Sequence, residues 1–177
     1  MDDVIEQVKS VLITTPDRWN GLVDSIAVEL LKRAPAPSEW SAMECLQHLV
    51  DTERNVFPVR LRAFLACQDF PAFAPDRQGT KQRTESAVEL AAEFAHLRAE
   101  SLALLTKVVP DDLARKSRHA ELGHVSLDQM LHEWAGHDLM HTVQAERALM
   151  QPFIGGSGPW RLYFVDHDAE RAPKRKA

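Results

Sequence analysis

Glycine is scarce in this chain, with seven among 177 residues, and the strict apolar–polar alternation of half-buried strands is missing. Together these argue against a sheet-based fold. Cysteine is scarcer still. The two present, Cys45 and Cys67, exclude a disulfide framework and read as buried free thiols. No apolar run approaches the roughly 20 residues that span a membrane. The opening segment MDDVIEQVKS is acidic and lacks the basic-then-apolar plan of a signal peptide. No membrane partner is therefore expected, and the cytoplasm is the expected location. Positive charge is in deficit as well, with a formal net charge of −5. A nucleic-acid partner requires a basic face, and the one dense basic run is Arg171, Lys174, Arg175 and Lys176 at the extreme C-terminus. That run reads as a frayed tail. The expected organisation is one domain over residues 1–167 followed by a basic tail, 168–177, with no internal repeat.

What the chain does have is helical spacing. Asp2 to Ile13 reads as a short amphipathic helix with Val4, Val8, Val11 and Leu12 inward. Thr15-Pro16 reads as a fresh helix start, since proline fits a first turn. That helix runs through Trp19, Leu22, Val23, Ile26 and Leu30 to about Arg33, where Ala34-Pro35-Ala36-Pro37 stops it. Ser41-Ala42-Met43-Glu44 is an S-x-x-E capping box that opens the next helix, which extends to about Ala66 with a disturbance at Pro58. Residues 68–83 carry Pro71, Pro75 and Gly79 and form a long connection. A further helix covers about Thr84 to Val108, with Leu90, Phe94, Leu97, Leu102 and Leu105 inward. Ser126-Leu127-Asp128-Gln129 is a second capping box and starts a last helix running to about Met150. The sum is an all-α chain, best arranged as a four-helix bundle.

Eight histidines occur, and their placement carries the chemistry. His137 and His141 are four residues apart, so they share a helix face about 40° apart. That spacing lets two imidazoles converge on one metal ion. The apolar stripe of this helix is Leu127, Met130, Leu131, Trp134, Ala145, Ala148 and Leu149. His141 falls within it and His137 at its edge. His132 projects to the opposite side, toward solvent. His132-Glu133 followed by His137 is one residue too long for the metalloprotease H-E-x-x-H motif. A pair alone holds an ion poorly, and His48 is the best third ligand. It lies two turns into the capped second helix, on the flank of Cys45, Leu49 and Val56. Bundles build metal sites from inner-edge histidines on facing helices in this way. Glu53 falls near the core face as a supporting partner, a fourth ligand or half of a salt bridge to an arginine. Cys45 reads as core packing. His96, His119, His124 and His167 read as surface or capping residues, the four tryptophans as core or lid, and the charged faces of the first and third long helices as solvated surface.

At these residues the chain resembles the DinB-like superfamily. The matching segments are Pro35 to Ser41, Glu44 to His48 and Asp51 to Arg54, then Gly123 to Leu127 leading into Trp134-Ala135-Gly136-His137-Asp138-Leu139-Met140-His141 and Gln144. The resemblance covers about Thr15 to Leu149. It implies an up-down-down-up bundle with a long crossover between the second and third helices. It also implies a divalent metal such as zinc or nickel held by three histidines, matching His48, His137 and His141, and a homodimer is a common state among members.

Three imidazoles leave an open position on the ion. Three readings follow. The first is a transferase that activates a low-molecular-weight thiol toward an electrophile. The second is a hydrolase that activates water at the metal. The third is a non-enzymatic metal-binding stress protein. A hydrolase needs a general base, for which Glu133, one turn before His137, and Glu53 are the candidates. A transferase needs a cationic grip on a small-molecule thiol, for which Arg60, Arg62 and Arg77 are available.

Overall fold

The computed structural model describes residues 4–70 and 84–171. Arg77, the proline-rich part of the connection and the last basic residues lie outside them. Among the described residues six helices dominate: α1 (Val4–Ser25), α2 (Val28–Leu31), α3 (Ala42–Asn55), α4 (Phe57–Leu65), α5 (Ala87–Leu105) and α6 (Leu127–Gly156). The chain is an up-down-down-up four-helix bundle. α1 packs against α5 and α6, and α3 packs against the same two. The first and second long helices are therefore diagonal, and α3 and α6 form one wall.

The cap chemistry works as read. Ser41 Oγ accepts from the Glu44 backbone N–H while Glu44 reaches back to the Ser41 N–H, and Ser126 and Gln129 do the same for α6. Ser86 and Glu89 form a third such box, which sets the start of α5 at Ala87 rather than Thr84. The second helix breaks at Val56, with Pro58 in the first turn of α4, because proline at that place forfeits a backbone bond that a first turn does not need.

Four elements differ from the sequence reading. The helix read as running to about Arg33 ends at Ser25, and Val28–Leu31 forms a separate short helix. Thr15-Pro16 does not start a helix, because α1 runs unbroken through it with both residues buried. Pro16 has no N–H to give Leu12, four residues back, and the Leu12 carbonyl accepts instead from Arg98 Nη1 at 3.0 Å. A short antiparallel hairpin, β1 (Lys116–His119) and β2 (Gly123–Ser126), interrupts the all-helical plan. Finally, α6 continues past Met150 through Pro152 to Gly156 and is followed by a 3₁₀ turn, Gly158–Phe164. Beyond that turn, Asp168 is buried and bonded to Arg161 at 2.7 and 2.9 Å.

The core has two apolar clusters. One joins Trp19, Leu46, Leu49, Leu90, Phe94 and Ala145. The other joins Leu12, Phe57, Phe64, Leu127, Leu131 and Trp134. Between them sits a buried charge. Arg98 is 1% exposed and donates to both oxygens of Glu53 (2.9 and 2.8 Å) and both of Asp138 (2.7 and 3.1 Å). Burial works against its charge, but Asp138 and Glu53 outweigh this and hold the guanidinium above the ordinary arginine range. One side chain thus ties α5 to α3, α6 and α1, and the charged face of the third long helix is not wholly solvated. Cys67 also departs from expectation, being exposed, while Cys45 is buried. Trp160 is 66% exposed and does not belong to the core. Among the described residues no helix is long and apolar enough to cross a membrane.

Candidate metal centre

α3 and α6 carry the three histidines to one place. Glu53 on α3 and Asp138 on α6 are both clamped by Arg98, which fixes the two helices in register. His48 lies five residues before Glu53, and His137 and His141 flank Asp138. The ring nitrogens His48 Nε2 and His137 Nε2 are 3.0 Å apart. One ligand atom from each of the three rings lies within 4.8 Å of the others. Nitrogens sharing one ion at about 2.0–2.1 Å stand about 3–3.5 Å apart, so the first pair is already at coordinating separation. The ring centroids lie 4.4–5.0 Å from one another.

The surroundings make the trio basic in geometry and neutral in charge. Burial, reinforced by His141, lowers the His48 pKa to about 3. Burial lowers that of His137 to about 2, with His141, His48, Arg60 and Arg98 adding to it. Burial lowers that of His141 to about 4 against a raising hydrogen bond to Gln144. Three neutral imidazoles are the form that binds a cation. His141 Nδ1 donates to Gln144 Oε1 at 2.9 Å, which leaves its Nε2 as the lone-pair donor. His137 Nδ1 is buried without a partner among the described residues. Packing alone does not account for three polar rings crowded together in this way, whereas a shared cation does. Trp40 stacks on His141 (5.7 Å) and tilts over His48 (4.8 Å), and Phe57 meets His137 edge-on at 5.1 Å.

The two carboxylates expected to act as bases are otherwise engaged. Glu53 is 2% exposed and belongs to Arg98, with Trp134 Nε1 donating to it at 3.3 Å. It supports α3 rather than facing an ion. Glu133 is about half exposed and bonded to Arg60 at 3.1 and 3.3 Å. Cys45 is outside the trio, and burial, with Glu44, pushes its thiol up to about 12. His132 and His124 face solvent, as do His96 and His167. His119 does not. It is buried at the end of β1. Arg98 and Gln144 carried no role in the sequence reading. Arg98 could have been found there, because Leu90, Phe94, Arg98, Ser101 and Leu105 follow one helical stripe.

A four-helix bundle with three converging imidazoles on facing helices defines a class of candidate metalloprotein. Residues 12–145 match the family model of the DinB superfamily, and the chain belongs to that superfamily. The fold is shared with YfiT from Bacillus subtilis at a TM-score of 0.73 and 16% identity, over 81% of this chain and 85% of that one. YfiT is described as "a probable metal-dependent hydrolase with an unusual four-helix bundle topology". No curated protein sequence matches the chain.

Proposed function

We propose that this protein binds one divalent transition metal, zinc or nickel, through His48, His137 and His141, and is a transferase that activates a small thiol toward an electrophile. A cation held there would supply Lewis-acid chemistry, favouring the ionised form of a thiol or water near neutral pH. The observation that carries the thiol reading is the state of the two nearby carboxylates. Glu53 is sealed in the Arg98 clamp and Glu133 is held by Arg60. The metal acidifies either nucleophile, but water attack usually draws on a general base as well, whereas a thiolate, once formed, is a strong nucleophile without one. The protein's own part is to hold three neutral rings, wall them with Trp40 and Phe57, and exclude bulk water from the inner side.

Hydrolysis is the second reading, favoured by the fold shared with YfiT, and it requires Glu133 to leave Arg60. The test pairs two panels with metal-loaded protein: small thiols with a reactive electrophile, and esters with lactones. Thiol conjugation without hydrolysis is the expected result. Hydrolysis without conjugation rejects the transferase, activity unaffected by a chelator rejects both metal-dependent readings, and no activity in either panel favours the non-catalytic role.

A further inference from the structure

Arg60 and His119 form a second polar cluster that the metal centre does not use. Both are more than nine-tenths buried, at 7% and 6% exposure. Arg60 comes from α4, and His119 from the end of β1. The His119 Nδ1 accepts two backbone N–H bonds, from Glu121 at 3.1 Å and Leu122 at 3.2 Å. A nitrogen that accepts carries no proton, so the ring proton sits on Nε2. That Nε2 faces Arg60 Nη2 at 3.4 Å. Arginine nitrogens only donate. Two N–H donors from different elements therefore converge, with no acceptor between them among the described residues. Two donors at that separation suit one oxygen placed about 2.9 Å from each.

We propose that Arg60 and His119 are a carboxylate-binding subsite beside the histidine cluster, with Glu133 occupying part of it until a ligand arrives. Arg60 already shows its preference, holding the Glu133 carboxylate through Nη1. Phe57 and Phe70 flank the guanidinium at 6.0 and 5.5 Å, which strengthens a charged bond by keeping water off it. Phe57 also touches the His137 ring, so subsite and centre share a wall. An incoming carboxylate displaces Glu133 from Nη1 and gains the His119 Nε2–H, a donor that Glu133 is not seen to use. The inference rests on the reading above only for the idea that the ligand is the enzyme's substrate. The binding itself is measured without an electrophile or turnover.

The experiment titrates the full-length chain, zinc-loaded and chelator-treated, with acetate and in parallel with inorganic phosphate. The amide resonances of Glu121 and Leu122, which bond His119, are followed by NMR. Saturable movement with acetate but not phosphate is expected in both forms, with the His119 proton on Nε2. Arg60→Gln should weaken acetate binding about tenfold. Glu133→Gln, at a half-exposed position, should keep the fold and bind acetate severalfold tighter by removing the competitor. Should Arg60→Gln fail to fold, the Glu133→Gln result decides. Unchanged or weaker binding in Glu133→Gln, a preference for phosphate, or a proton on Nδ1 overturns the proposal. Because no reaction is read, absence of thiol conjugation leaves the subsite standing, and absence of acetate binding leaves the metal reading standing.

Discussion

Replacing Arg98 by methionine removes the one cation between two buried carboxylates. Methionine fills much of the same volume, so the change reports on charge rather than on a cavity. Glu53 and Asp138, each about 1% exposed in the side chain, are left facing each other, and the Leu12 carbonyl loses its donor. Breaking a buried pair from one side typically costs about 3–5 kcal/mol. Against a total stability of about 5–15 kcal/mol, that is a large share. For a chain of this size it corresponds to a fall in Tm of roughly 6–20 °C. The loss has a direction in pH. In the variant, taking up a proton relieves the repulsion between the two carboxylates, so the folded state binds more protons than the unfolded one. Its stability relative to the parent then falls as pH rises. Urea unfolding followed by helical circular dichroism, for parent and variant at pH 5 and pH 8, checks both points. Adding Glu53→Gln and Asp138→Asn to Arg98→Met should recover part of the loss. A cost under about 1 kcal/mol, equal at the two pH values, would refute the view that this clamp organises the bundle.

Three further outcomes follow from the same geometry. Ser41→Ala removes the side-chain acceptor at the start of α3 and should cost about 1 kcal/mol, read as a Tm shift of about 2–4 °C. Gln144→Leu removes the acceptor that fixes His141 and should weaken metal binding about 10–100-fold, measured by competition with a chromogenic chelator. The histidine pKa values, lowered from 6.5 to about 3, 2 and 4 for His48, His137 and His141, set the acid behaviour. Each group's stabilisation is full above its unfolded value and lost as pH falls from there toward the folded one. Each contributes up to about 1.4 kcal/mol per pH unit. The metal-free protein should therefore lose stability steeply below about pH 6.5. In the bound form the ion should be retained until protons compete, near pH 4. A flat stability profile between pH 6.5 and 4.5 in the presence of chelator would contradict the neutral state of the three rings.

Much of this site was legible because its signals are local. The His137–His141 spacing and the Ser41–Glu44 and Ser126–Gln129 boxes each depend on residues within one or two turns, and they place three rings on two inward faces. What escaped depends on partners far apart in sequence. Pro16 reads as a helix start on its own, and only the Arg98 guanidinium 82 positions later explains how α1 tolerates it. Arg98 in turn looks like surface charge until Glu53 and Asp138 are seen on either side. Glu133 looks like a free base for the same reason, whereas Glu53 reads as half of a salt bridge whose arginine only the fold identifies as Arg98. The β1–β2 hairpin has four-residue strands, KSRH and GHVS, too short and too polar to show a period. His119 reads as a loop histidine because its burial comes from Phe70 and Arg60, contributed by other segments.

The most direct measurement is the metal content of purified protein by mass spectrometry, for the parent and for His48→Ala, His137→Ala and His141→Ala, each checked for retained helicity. One ion per chain in the parent, and loss of it in every variant, is the expected result. An unchanged stoichiometry in any folded variant, or a parent that takes up no zinc or nickel when offered them, would contradict the assignment.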